Sequence, residues 1–174
     1  MRIISGKLKG RKLIAPKKIP ARPTTDRAKK ALFDILENKF NITNIRVLDL
    51  YSGTGNISYE FASRGCKKIV AIDRDYQSIT YIEKMKKDLN LNIQTLRRDV
   101  LNSKNHLEKK FDVIFADPPY NYDKYQDLIK LFLCKEILTK NGCLIIEHHK
   151  KTQLKQENIE LRKYGDVNFS IFHL

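Results

Sequence analysis

Residues 111 to 125, Phe-Asp-Val-Ile-Phe-Ala-Asp-Pro-Pro-Tyr-Asn-Tyr-Asp-Lys-Tyr, set a carboxylate, two rigid residues and an aromatic ring directly after a short apolar run. Val113 to Ala116 read as a buried strand. Pro118 and Pro119 end it, because neither has an N–H to give to a ladder. Such a group suits a flat, hydrogen-bearing substrate. The Asp117 side chain and the Pro118 carbonyl are acceptors on a backbone that the prolines hold still, so little reorganisation is needed when they act. Tyr120 can stack on a planar ring.

Three earlier segments end in a comparable way. Residues 48 to 58, Leu-Asp-Leu-Tyr-Ser-Gly-Thr-Gly-Asn-Ile-Ser, close an apolar run on Asp49 and a turn whose glycines, Gly53 and Gly55, let a ligand lie against the backbone. Ser52, Thr54 and Asn56 add small polar groups. In the dinucleotide register Gly-x-Gly-x-x-Gly the third position is Ser58, so the fingerprint is broken. Asp73 follows Gly55 by 18 residues, the offset at which an acid typically accepts from ribose hydroxyls. Asp99 and Val100 end the next run, where an acceptor and an apolar side chain can frame a base. Taken singly, each is equally well a turn or a helix cap.

The elements that must position these residues alternate. Strands are expected over 45–53, 68–73 and 93–100, within 111–120 and over 142–149, and helices over 56–65, 76–89 and 124–138, with a short helical connector after the third strand. Two more strands around Tyr164-Gly165-Asp166 read as a closing hairpin. A first helix begins at Thr24 or Thr25, with Ala28, Ala31, Leu32, Ile35, Leu36 and Phe40 on one face. Before it, residues 2–16 read as two short strands around a Gly/Lys turn, a basic hairpin, and Pro20 and Pro23 keep the linker extended. The expected fold is α/β, a doubly wound, mainly parallel seven-stranded sheet, with residues 1–24 as a hairpin and linker and 25–174 as the main domain. In such sheets ligands bind beyond the carboxyl ends of the strands.

With four strand ends agreeing, the sequence resembles the class I S-adenosylmethionine-dependent methyltransferases, whose sheet is Rossmann-like. The resemblance implies S-adenosyl-L-methionine as cofactor. Asp49, Ser52, Gly53, Thr54, Gly55 and Asn56 would surround its methionine portion. Asp73 would hold the ribose with Arg74 beside it, Asp99 and Val100 would frame the adenine, and Asp117 would stand at the reacting end. Asp117, Pro118, Pro119 and Tyr120 then have a role. An exocyclic amine on a base is planar and a poor nucleophile, because its lone pair is delocalised. Acceptors that bind its two hydrogens out of the ring plane favour a tetrahedral nitrogen, and much of the remaining acceleration would be positioning. The motif alone does not separate adenine, cytosine and guanine.

The segments Met-Arg-Ile-Ile-Ser-Gly-Lys-Leu-Lys-Gly-Arg-Lys-Leu-Ile-Ala-Pro and Arg-Pro-Thr-Thr-Asp-Arg are more specific. With them the chain looks like the bacterial family that methylates a guanine N2 amine in small-subunit (16S) ribosomal RNA. By that resemblance Arg22, Thr24 and Arg27 sit near the mouth of the site, and Arg2, Lys7, Lys9, Arg11 and Lys12 contact phosphates. The partner would be the small ribosomal subunit or its RNA, and the protein a monomer. Lys29 and Lys30 stand where the family commonly has Arg-Glu, Asp73 where it has Glu, and Tyr-Ser-Gly-Thr-Gly where Phe-Ala-Gly-Ser-Gly is common. None of these removes a catalytic group. Rival activities are a DNA adenine-N6 methyltransferase, a nicotinamide-dependent oxidoreductase and a catalytically silent RNA-binding assembly factor.

The bulk numbers agree with a polyanionic partner. The 174 residues carry 34 basic and 20 acidic side chains, a net charge of +14. Residues 1–30 hold eleven basic residues against Asp26 alone, so +10 of the charge lies there. Three cysteines, an odd number without Cys-x-x-Cys spacing, argue against a disulfide framework or zinc site, and no metal is expected. The charged start is unlike a signal peptide, and no apolar run approaches a membrane span. A cytoplasmic enzyme is the expectation.

Overall fold

The computed structural model of the chain describes residues 1–16, 18–19, 24–107, 109–119, 121–155 and 159–174. Among the site residues expected from sequence, Arg22 and Tyr120 lie outside these, as do Pro20 and Pro23 of the linker.

Seven strands form one sheet: β1 (Arg46–Leu50), β2 (Lys68–Asp73), β3 (Ile93–Arg97), β4 (Phe111–Ala116), β5 (Leu138–His149), β6 (Glu160–Tyr164) and β7 (Val167–His173). Their order is β3-β2-β1-β4-β5-β7-β6. The pairings from β3 through β5 are parallel, and β7 runs antiparallel to both neighbours. Side chains alternate between the two faces at the two-residue period of a strand. Val47, Ala71, Val113, Phe115 and Ile145 enter one core with α1 (Asp26–Lys39), α2 (Asn56–Ser63) and α3 (Tyr76–Asp88). Leu48, Leu50, Ile72, Ile114 and Ile146 enter the other with Leu128, Ile129 and Phe132 of α4 (Tyr125–Phe132). The chain leaves β1 toward β2 and returns on the opposite side as β4. That reversal puts the switch point, and the crevice it makes, between β1 and β4.

Thr25 caps α1, its hydroxyl accepting from the Ala28 N–H at 3.2 Å. Helix α4 is shorter than the sequence pattern suggests. It ends at Phe132, and β5 already begins at Leu138, which pairs with Phe111. The register then shifts between Phe111 and Val113. Helical spacing of apolar residues from 128 to 138 masked this, since a buried strand start and a helix face look alike there. No helix among the described residues is long and apolar enough to cross a membrane.

The basic N-terminal segment keeps antiparallel geometry but not two strands. A single bridge, Arg2 to Lys12, closes around a 3-10 turn at Gly6–Leu8. The segment is sewn onto α2. Glu60 accepts the Ile4 N–H at 2.8 Å and the Ser5 N–H at 3.0 Å. Ser63 accepts from the Leu8 N–H and donates to the Ser5 carbonyl. Gly6 has φ +79°, and a Cβ there would stand 2.0 Å from the Ser63 carbonyl oxygen, so the approach needs glycine. Ile3 and Leu13 are buried in the core, while Ile14 is 89% exposed. Beneath the segment, fully buried Lys29 donates to the Arg2 carbonyl and to Asn56 Oδ1, both at 2.7 Å, with Glu60 at 3.5 Å. Lys29 is thus a buried cation that ties the N-terminal segment to the start of α2, and Lys30 pairs with Asp34 on the surface.

Candidate active site

The carboxyl ends of the parallel strands open into a cleft of about 770 Å³. Gly53, Asp73, Arg74, Asp99, Val100, Asp117, Pro118 and Pro119 line it, so residues from four separate strand ends meet in one place. Thr24 lines it too, at the end of the linker. Arg27 is exposed on the first turn of α1, as are Arg2, Lys7, Lys9, Arg11 and Lys12 on the N-terminal segment.

Each wall is fixed by local geometry. Gly53 and Gly55 have φ values of 50° and 78°, the left-handed region the turn into α2 demands. The Gly53 N–H donates to Asp73 Oδ2 at 2.8 Å, and the Asp75 N–H to Asp73 Oδ1 at 2.9 Å. Asp73 thus joins the ends of β1 and β2. Asp99 accepts from the Leu101 N–H at 3.0 Å, starting the 3-10 turn that follows β3. The Asp117 N–H reaches the Leu50 carbonyl at 3.4 Å, which holds the Asp-Pro-Pro turn beside the end of β1. Pro118 is buried and Pro119 exposed.

Other expected residues lie under the cleft rather than on it. Asp49 points to the α2 side of the sheet, sharing that face with Val47, and accepts from the Ser58 N–H at 3.1 Å and the Ser58 hydroxyl at 2.5 Å. Asn56 serves Lys29. Thr54 meets Met1 Sδ at 3.4 Å. A Cβ on Gly55 would touch the Tyr59 ring at 2.8 Å. These four, with Ser52, are outside the residues lining the cleft. Ser52 Oγ is buried without a partner among the described residues, beside the turn. That orphaned oxygen, the half-buried Asp73 at the end of β2, the exposed Asp99 and the apolar Val100 fit a ligand with a ribose, an aromatic base and a polar tail.

A family model described as conserved hypothetical protein 95 matches residues 1–173. The chain belongs to this family. It is similar to the ribosomal RNA small subunit methyltransferase D of Buchnera aphidicola (subspecies Acyrthosiphon pisum), 36% identical over 155 residues that cover 87% of this chain and 80% of that one. The protein of the same name in Haemophilus influenzae is 31% identical over 184 residues, covering 99% and 93%. A solved hypothetical protein of Thermus thermophilus, 28% identical, matches with a TM-score of 0.86 over 100% of this chain and 99% of that one. Family and architecture make the chain a methyltransferase with the class I sheet.

In this member of the conserved hypothetical protein 95 family, sequence reasoning passed over the end of β5 and the tyrosines around the cleft. Glu147, His148 and His149 line it, as do Tyr51, Tyr122 and Tyr125. Glu147 is buried and accepts from the Thr24 hydroxyl at 2.7 Å, tying the linker to the sheet. His148 faces the Ser170 hydroxyl at 2.8 Å and the His149 carbonyl at 3.1 Å, and burial keeps its pKa below the usual value, favouring a neutral ring. The strand-end rule that found Asp73, Asp99 and Asp117 applies equally to Ile-Ile-Glu-His-His and would have found these residues. The tyrosines carried no comparable signal, because single aromatics in turns are common.

Proposed function

We propose that this protein transfers a methyl group from S-adenosylmethionine to the exocyclic N2 amine of a guanine in small-subunit (16S) ribosomal RNA. One observation carries the reading: the Asp117-Pro118-Pro119 turn lines the same cleft as the Gly53 turn, Asp73 and Asp99. The two small-subunit ribosomal RNA methyltransferases to which the chain is similar over most of its length support the RNA substrate.

When bound, S-adenosylmethionine supplies a methyl group on an electrophilic sulfonium. Asp73 would accept from the ribose hydroxyls while keeping its bond from Gly53, with Arg74 beside it. Asp99 and Val100 would take the adenine edge and face, with Ser52 near the methionine portion. At the other end, the Asp117 carboxylate and the Pro118 carbonyl would each accept one hydrogen of the guanine amine, drawing the nitrogen out of conjugation and aiming its lone pair. The prolines hold these acceptors in place. Tyr120 would stack on the base. The exposed Arg2, Lys7, Lys9, Arg11 and Lys12 would meet RNA phosphates, which orient the substrate without reading its sequence. The guanine must be exposed or flipped to enter.

Incubation with radiolabelled S-adenosylmethionine and small subunits lacking the modification, followed by nucleoside analysis, should give N2-methylguanosine. N6-methyladenosine would transfer the assignment to adenine chemistry. Asp117→Ala should abolish most turnover while calorimetric cofactor affinity stays near wild type. Asp73→Ala should cost about 1.5–3 kcal/mol of cofactor binding, the range for hydrogen bonds to a charged group.

A further inference from the structure

Tyr51 and Tyr122 face each other between the two walls of the cleft. Tyr51 is the residue after β1, directly before the Ser52-Gly53 turn. Tyr122 lies on the loop after Pro118-Pro119, in a turn closed by its own N–H to the Pro119 carbonyl at 3.0 Å. The Tyr51 hydroxyl donates to the Tyr122 hydroxyl at 2.7 Å, and the rings meet edge to face with centroids 5.6 Å apart. Tyr51 has φ 56°, a left-handed conformation costly for a bulky aromatic residue and kept only where its surroundings hold it. The contact continues. Tyr122 packs edge to face on Tyr125 at 5.1 Å, and Tyr125 on His148 at 6.4 Å. A chain of rings thus runs from the β1 end, over the β4 loop and the start of α4, to the β5 end. Burial raises the pKa of both phenols, so both keep their protons throughout the range in which the protein works.

We propose that Tyr51 and Tyr122 form a clasp that fixes the loop bearing the amine acceptors against the turn bearing the methyl donor. This rests on the methyl-transfer reading of the same cleft. In-line transfer needs donor and acceptor held within a narrow range of distance and angle, and these come from different strands. The backbone link between the two walls, Asp117 N–H to Leu50 carbonyl, is long at 3.4 Å. The hydroxyl pair is shorter and lies further out along the loop. Tyr51 and Tyr122 are positioning residues: their hydroxyls bind each other and set where Asp117 and Pro118 stand.

Tyr51→Phe and Tyr122→Phe remove one oxygen each and keep the rings. Each should lower kcat by about five- to tenfold, the worth of one neutral hydrogen bond, with cofactor affinity within about twofold of wild type. The double variant should be no slower than either single one, since both break the same bond. Hydrogen exchange gives a readout without turnover: amides of residues 121–124 should exchange several-fold faster in Tyr51→Phe, while the melting temperature hardly moves. Unchanged exchange in that variant, or losses of kcat that multiply in the double variant, would overturn the clasp. Should the wild-type protein methylate no guanine, that result counts against the proposed reaction alone, and the exchange measurement still decides the clasp.

Discussion

Asp49 shows what the fold adds to a residue picked out from sequence. From sequence it belongs to the cofactor turn. In the fold it faces α2, fully buried, and holds the first turn of that helix through Ser58. Burial raises its pKa from 3.8 to about 7, against the pull of the two Ser58 hydrogen bonds. In the unfolded chain the group ionises near its ordinary value, so between about pH 4 and 7 the folded state binds more protons. Its contribution to stability is therefore greatest at low pH and falls as pH rises through that window. Asp49→Asn removes the titration and keeps an acceptor for Ser58. The melting temperature of the variant relative to wild type should rise between pH 4 and pH 7, a comparison in which the other acids cancel. The strand-end position of Asp49 was legible. Its orientation was not, because the two faces of β1 are both buried and an alternating pattern leaves no mark on such a strand.

Among the elements, those with a strong period were legible. The five parallel strands, the first three helices and the closing hairpin stand about where apolar spacing puts them. The N-terminal segment was read as a hairpin from its Gly/Lys turn, but what secures it is tertiary. Glu60 lies mid-helix, and nothing in Ser-Tyr-Glu-Phe announces that its carboxylate will be fully buried between Lys29, Arg64 and two backbone N–H groups. Burial lowers the Lys29 pKa and Glu60 opposes that, so the pair holds only as a unit. Glu60→Ala leaves Lys29 buried without its counter-charge and frees the Ile4 and Ser5 amides. Denaturant unfolding should show a loss of about 3–5 kcal/mol, the usual result of removing one partner of a buried pair. Residues 3–8 should also lose exchange protection before the sheet does. Protection that falls evenly across the chain would mean the segment and the sheet open together.

For the whole molecule, the uneven charge acquires a direction. Fixing residues 1–16 on α1 and α2 turns a basic stretch into a held basic surface, so the proposed phosphate binding there would cost little ordering. Replacing Lys7, Lys9 and Lys12 by Gln should weaken binding of small-subunit RNA and flatten the log–log salt dependence by roughly 2–3 units, about 0.7–0.9 for each phosphate no longer neutralised. Cofactor affinity should not change, since none of the three lines the cleft. An unchanged slope would place the RNA on another face.

The placement of β7 between β5 and β6 has a consequence for how the protein is made. Synthesis runs from the amino end, so the part of the sheet from β1 to β4, which carries the Gly53 turn, Asp73 and Asp117, is available early. The long β5 then waits with one edge bare, and β6 has no neighbour until residues 167–173 arrive. An uncovered hydrophobic edge is a template for pairing with another chain. A nascent chain stalled between residues 149 and 167 would therefore hold a nearly complete cleft on a sheet prone to aggregate, and a premature stop in that interval would be far more damaging than its distance from Asp117 suggests.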